Sequence, residues 1–479
     1  MRFSSAALPA LLLGLSSAVS TAVASFTPPA AFKNANLVHV VSAEKSYIKE
    51  TINVLVENIA KTPQDEYYLA IPTDKFTRVG GFEVKDRKDT AAGDFIAEAV
   101  EADPASSTQY YRIRLPKALD AGAQQTLGIT YYVLNAYRPL PALIAQDDKQ
   151  YLVYDFSAYC PSAYETTKQK TEVKFPTSDV PDYTQLPKKE LSQKQGAKIT
   201  YGPFEAQPAG ALLPVEVRFE FTKPVNHVQR LERDIEVSHW GGNVAFEERY
   251  TLVNNGANLS TLFNRVKWAQ AAYYNPASSA LKEMRFPLRP GSADAYYTDV
   301  IGNVSTSRFR NGKREALLEI KPRYPVFGGW TFPFTIGWNA DAGAFLRRLT
   351  QGSSRYVLNV PFLEGPKQHE GVEYEQVRLQ ILLPEGAENV KFAAAIPSNS
   401  ITTSMVTLQK TFLDTVGRTA VVVEARNLVD EFRDREVIVT YDYSLLASLR
   451  KPIIVFSSVL GLIVAAYAIG SVELKFSKN

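Results

Sequence analysis

Cysteine is almost absent from this chain of 479 residues: Cys160 is alone, so no internal disulfide can form and the fold must rest on apolar cores. Histidine is scarce too, with His39, His227, His239 and His369 scattered far apart. No H-E-x-x-H string occurs, which removes the ligand pair of a zincin-type metallopeptidase, and His369-Glu370 has no second histidine to complete it. G-x-S-x-G, the P-loop and a helix-opening G-x-G-x-x-G are missing, as is a D-x-D able to hold a metal–nucleotide-sugar complex. The formal net charge of +3 leaves no nucleic-acid footprint, and Lys188-Lys189 and Arg347-Arg348 fit solvated surface. No cofactor, metal or nucleic-acid partner is implied. Cys160 sits in Tyr159-Cys160-Pro161 with no histidine nearby, which favours a small buried apolar role over a catalytic thiol and leaves an intermolecular disulfide open.

Two apolar segments bracket the chain. Arg2 precedes an apolar run from Ala6 to Leu15, and Ala22-Val23-Ala24 meets the small-x-small rule, so residues 1–24 are expected to be a signal peptide cut before Ser25. That run is too short to span a bilayer. At the other end no charge occurs from Pro452 through Val472. Ile453–Val472 covers about 30 Å at about 1.5 Å per residue, one hydrocarbon core, and lacks the polar stripe of a core helix. Arg450 and Lys451 balance Lys475 and Lys478, so orientation follows from the signal peptide: the bulk of the chain in the lumen, 453–472 across the membrane and 473–479 in the cytosol. Ser457, Gly461 and Ala465 recur at intervals of four, with Ala466 and Gly470 beside them, a small-xxx-small face able to pack against partner helices.

Between the brackets the pattern is alternation. Val215, Val217, Phe219 and Phe221 interleave with Glu216, Arg218 and Glu220, as expected of a strand with one wet face. Ile52, Val54 and Val56 do the same, as do Val377, Leu379 and Ile381, and Val437, Val439, Tyr441 and Tyr443. Turn signals stand at Gly80-Gly81, Asn255-Gly256, Asn311-Gly312 and Pro384-Glu385-Gly386. The expectation is a mainly β protein. Two lumenal β-sandwich-like domains with short helices, 25–224 and 225–451, divided near Lys223-Pro224, would be followed by one C-terminal transmembrane helix. The lysine-rich stretch Pro187–Lys198 is expected to be a mobile loop.

Candidate sites are few. Carboxylate pairs such as Glu247-Glu248 and Asp147-Asp148 are adjacent, and neighbours on a strand point to opposite faces, so they fit ordinary surface charge. Two N-x-S/T sequons, Asn258-Leu259-Ser260 and Asn303-Val304-Ser305, are glycan acceptor candidates given a lumenal location, and Asn303 follows a turn-like Ile301-Gly302. His239-Trp240-Gly241-Gly242 and Phe327-Gly328-Gly329-Trp330 are the most distinctive strings. Indole beside paired glycines can make a stacking surface, but the favoured reading is a tight turn with the tryptophan plugging the core.

Several strings carry a resemblance: Ile235-Glu236-Val237-Ser238-His239-Trp240-Gly241, Tyr296-Tyr297-Thr298-Asp299, Ile301-Gly302-Asn303-Val304-Ser305-Thr306-Ser307, Pro322-Arg323-Tyr324-Pro325 running into Phe327-Gly328-Gly329-Trp330, and Leu383-Pro384-Glu385-Gly386-Ala387. In this order they resemble the ribophorin I family, the alpha subunit of the eukaryotic oligosaccharyltransferase complex, from about Asn34 through the membrane helix and more loosely in the first half. The short tail is similar to fungal-type members; animal members carry a sizeable cytosolic domain there. The resemblance implies a non-catalytic subunit of the machine that moves a glycan from dolichyl diphosphate to asparagine in nascent chains. It also implies an endoplasmic reticulum location as a single-pass type I protein. Its partners would be the other subunits, including a polytopic catalytic subunit that carries the active site, nascent polypeptide acceptors and membrane lipid. The family's glycosylated Ile-Gly-Asn-Val-Ser string falls on Asn303. Two other classes compete: a tethered lumenal hydrolase, which lacks a nucleophile–base or metal signature, and a type I cargo-binding or receptor protein, which would need cytosolic sorting signals.

Overall fold

Alternation is the local cause of the architecture. Along Ile48–Asn58, buried residues, Ile48, Ile52, Val54 and Val56 among them, take turns with half-buried ones, so β-branched side chains pack one pleated face. Pro214–Glu220, Glu373–Leu382 and Glu436–Asp442 repeat this, and the chain is mainly β with a few short helices and one long C-terminal helix. The computed structural model describes residues 26–89, 92–101, 103, 106–274, 276–350, 352–410 and 414–471. The expected signal peptide 1–24 and tail 473–479 lie outside the described residues.

In the N-terminal half a 10-stranded sheet is centred on Phe32–Ser42, Ile48–Asn58 and Gln124–Val133, antiparallel with His39 opposite Ile52 and Ile52 opposite Ile129. A 4-stranded sheet led by Tyr151–Ser157 and Pro214–Glu220 packs on it, and Ile52, Ile129, Leu152, Val217 and Phe219 share one core. In the C-terminal half an 8-stranded sheet runs through Asn243–Asn254, Asn226–Ser238, Glu373–Leu382 and Arg418–Val429 to an edge at Ile401–Gln409. A second 4-stranded sheet closes over it, and Ile235, Phe246, Leu379, Val423 and Val439 form the core between. Among the described residues one ladder joins the halves, Asn258–Leu259 parallel to Leu143–Ile144.

Four expectations are corrected. Gly80-Gly81 is not a turn but a bulge inside the strand Val79–Asp86, where the register shifts and Gly81 takes φ +64°. A Cβ on Gly80 would stand 2.4 Å from the Asn427 Cβ, so glycine is required for the halves to meet. The stretch Pro187–Lys198 contains an ordered edge strand, Ser192–Gln195, paired to Lys198–Phe204. Glu248 is not surface charge: it is fully buried with Arg233, whose other amino group meets Glu364 at 2.6 Å, while Glu247 faces outward to Arg249. Tyr250 adds a hydroxyl donor to Glu248 at 2.6 Å. The fourth, at Trp240 and Trp330, belongs to the site below.

The halves meet along a seam. Tyr47, Tyr132 and Leu134 belong to the core of the C-terminal half, and the Tyr132 ring stands edge-on to Phe432 at 5.4 Å. The Tyr132 hydroxyl donates to Glu431 at 2.9 Å, and the Asn427 amide donates to the Thr77 and Val79 carbonyls at 2.9 and 3.0 Å. Beside them His227 Nδ1 meets Glu373 Oε1 at 2.7 Å and Nε2 meets Glu375 at 3.1 Å, while the Asn135 amide donates to Glu373 at 3.0 Å. Burial opposes charge on His227, but the two carboxylates outweigh it and its pKa is raised; burial likewise raises Glu373.

A raised histidine pKa contributes stability that is complete below about 6.5, the unfolded value, and fades as pH rises through the folded value. Glu373, also raised, acts with the same sign at lower pH. The seam should therefore loosen toward alkaline pH. Protection of the Asn135 amide against hydrogen exchange, corrected for intrinsic rate, should decline through and above neutrality in the native chain and stay level in His227→Gln.

Candidate functional site at the foot of the membrane helix

The long helix spans Leu445–Ser471, beginning before the expected Ile453 and ending where the described residues do. It is apolar enough to cross a membrane, and none of its most apolar stretch is buried within the chain. Ser457, Gly461 and Ala465 all stand on its free surface, with nothing within 4 Å of where a Gly461 Cβ would be. Among the described residues nothing packs against that face.

The first turns of the helix belong to the globular part. The Ser444 hydroxyl accepts from the Ala447 amide at 3.1 Å, a cap that starts the helix. Pro452 lies inside it and has no N–H, so the carbonyl four residues earlier, on Ser448, loses its helical donor. Trp240 supplies the replacement: its indole N–H donates to the Ser448 carbonyl at 2.7 Å. Trp240 is thus not a core plug, being 66% exposed at the tip of the hairpin between Asn226–Ser238 and Asn243–Asn254. Gly242, at φ +60°, turns that tip. An indole with one wet and one apolar face suits a membrane–water boundary.

A neighbouring face of the foot is clamped by the Pro384-Glu385-Gly386 turn. Lys451 reaches Asp414 at 2.7 Å and Glu385 at 3.4 Å. Gly386 has φ +90°, and a Cβ there would lie 2.9 Å from Ala447 Cβ, so a side chain would push the helix away. Burial works against the Glu385 charge, but the Thr415 hydroxyl and the Thr415 and Val416 amides overcome it and hold its pKa at about 2. His239 sits between Tyr356 and Tyr443, each ring 4.6 Å away, and its Nε2 meets the Tyr441 hydroxyl at 2.8 Å. Burial, then Arg348, pushes His239 down to about 4, so the imidazole is neutral near pH 7. Clefts of 530 and 330 Å³ flank Trp240 on either side of the foot.

The two sequons differ. Asn303 is exposed in a two-residue edge strand, Gly302–Asn303, whose turn is pinned by Asp299 accepting the Ile301 and Gly302 amides at 2.9 and 3.1 Å. Asn258 is exposed too, but its backbone lies in the ladder to Leu143 and its side chain lies over Gly329. Trp330 is 36% exposed, its ring against Phe263 and Phe327, so it too lies at the surface and is not the expected core plug.

Sequence reasoning missed the buried ionic clusters. Glu50 accepts from Tyr131 at 2.6 Å and Tyr154 at 2.8 Å and meets His39 at 2.9 Å, tying the 10-stranded sheet to the 4-stranded one. Burial would raise this carboxyl, but His39, Lys75 and the tyrosine hydroxyl together hold it well below the usual range. The signal was present: His39, Glu50, Arg233 and Glu248 each occupy the apolar phase of their strand, as Leu231, Ile235 and Val237 around Arg233 show. Among the described residues no three His, Cys, Asp or Glu side chains are grouped to hold a metal ion.

The sequence profile of the family described as Ribophorin I matches residues 32–470. An Arabidopsis thaliana protein described as dolichyl-diphosphooligosaccharide--protein glycosyltransferase subunit 1B is 30% identical over 460 residues, covering 94% of this chain and 96% of that protein. Proteins described as subunit 1 of the same transferase are similarly close. That of Schizosaccharomyces pombe is 29% identical, covering 91% of this chain and 95% of its own length; that of Caenorhabditis elegans is 30% identical, covering 88% and 70%.

If Trp240 replaces the donor missing at Pro452, Trp240→Ala should broaden the angle between the globular part and the helix. Spin-label distances from the hairpin region to the helix would widen in distribution. Adding Pro452→Ala, which restores the internal N–H, should narrow it again; a double variant no tighter than Trp240→Ala alone would contradict the substitution of one donor for the other.

Proposed function

The chain belongs to the ribophorin I family, and from that membership we propose that it serves the oligosaccharyltransferase complex as a non-catalytic brace that also presents acceptor chain. It is an oligosaccharyltransferase subunit acting in protein N-glycosylation at the endoplasmic reticulum. The observation that carries this is a family match continuous from the first strand through the membrane helix. The finer reading treats 25–224 and 225–451 as two lumenal domains on a type I anchor, a division supported by sheets that share one short ladder. Bracing is supported by the seam and by the two contacts on the helix foot, which join the halves to each other and to one apolar helix. Bond-making chemistry is assigned to a polytopic partner subunit, and the conspicuous ionic groups here, Glu50 and Arg233, are engaged in holding strands.

The helix face Ser457, Gly461 and Ala465 is assigned to packing against partner helices. Gly461→Leu should lower recovery of other subunits in mild-detergent purification and reduce glycan occupancy of reporter proteins. Undiminished recovery would remove that face from the assembly. Asn303 is assigned as a glycan acceptor: Asn303→Gln should raise gel mobility as glycosidase treatment does, whereas Asn258→Gln, with its side chain laid on Gly329, should leave mobility unchanged.

A further inference from the structure

The 8-stranded sheet of the C-terminal half ends at Ile401–Gln409, hydrogen-bonded to Arg418–Val429 on one side and, among the described residues, to no strand on the other. Natural edge strands are blunted by charge, proline, bulges or shortness. This one is 9 residues long, without charge or proline, and its bulge lies only at Ile401/Thr403. From Ser404 to Gln409 every residue is exposed. Met405, Val406 and Leu408 are 42%, 46% and 67% exposed, and since neighbours alternate, the strand shows apolar surface on both faces of the sheet.

Its direction narrows the occupant. Gln409 lies opposite Arg418, which donates to the Leu383 carbonyl and pairs with Glu236, both beside the helix foot. Asp414, just beyond, is bound to Lys451 of the helix. The open edge therefore runs down to the membrane surface next to the anchor. A strand laid along it would enter or leave the bilayer there, as the juxtamembrane segment of another anchored protein does. The lack of charge on the edge calls for a partner segment equally free of charge.

We propose that Ile401–Gln409 is completed in the assembled complex by an extended, uncharged juxtamembrane segment of another membrane-anchored subunit, added as a further strand through main-chain hydrogen bonds. This rests on the reading of the chain as an oligosaccharyltransferase subunit. The test places a photo-crosslinking phenylalanine analogue at Val406 or Leu408 of the full chain in native membranes. A single discrete adduct with another subunit, unchanged after nascent chains are released with puromycin, is expected. An adduct with a second copy of this chain, a heterogeneous set of nascent chains lost on puromycin, or no adduct would each overturn the proposal.

A second measurement substitutes Val406→Lys and Leu408→Lys together, at exposed positions. Recovery of the cross-linked subunit should fall about tenfold while the chain itself keeps its native protease pattern; unchanged recovery overturns the inference. If even the unsubstituted chain brings down no other subunit, the subunit reading itself fails. If it brings down the complex but shows neither adduct nor sensitivity to the lysines, only the edge assignment fails.

Discussion

The seam between the halves is the contact on which the remaining geometry depends. The aromatic rings of Tyr47 and Tyr132 enter the core of the C-terminal half, and in a bulged strand Gly80 leaves room for Asn427 to reach the Thr77 and Val79 carbonyls, while Gly81 leaves room for Phe432. An apolar contact alone would let two β bodies slide. Here the rings carry hydroxyls that end on Asp430 and Glu431, and lysines 45 and 49 stand over the same carboxylates. Directional bonds between partly buried groups tolerate less displacement than apolar contact does, because each broken one leaves a partner poorly solvated. The seam thus fixes angle as well as distance.

At the other end the same logic sets the angle of the helix. A proline would ordinarily make the first helical turns a hinge, since it removes one hydrogen bond and crowds the preceding turn. The Trp240 indole takes over that bond from outside the helix, and the Lys451 ion pairs hold a neighbouring face. Orientation can thereby pass from a sheet hairpin to the bilayer through two side chains.

Much of this was legible beforehand. Strand identity and the membrane helix followed from period and length, because burial of one face leaves a regular imprint. The failures share a cause. Gly80-Gly81 reads locally as a turn, yet Gly80 answers to Asn427 and Gly81 to Phe432, both far off in sequence, which no local pattern reports. Trp240 beside glycines reads as a core residue, but its partner is a carbonyl orphaned by a proline in a different element. Glu50 and Arg233 sit in apolar phase, so their burial was visible in register, whereas their partners, gathered from separate strands and sheets, were not. Alternation tells which way a side chain faces, never what it meets.

Cys160 has a wider bearing. Its thiol is buried, and burial pushes its pKa well up, so it neither forms thiolate readily nor meets a glutathione molecule. Proteins of oxidising compartments often owe part of their stability to bridges that a change of redox poise can open or shuffle. With a single cysteine, this chain has no internal bridge to lose. A fold held together without such a bridge keeps the same cross-links, namely none, whether its surroundings are oxidising or reducing.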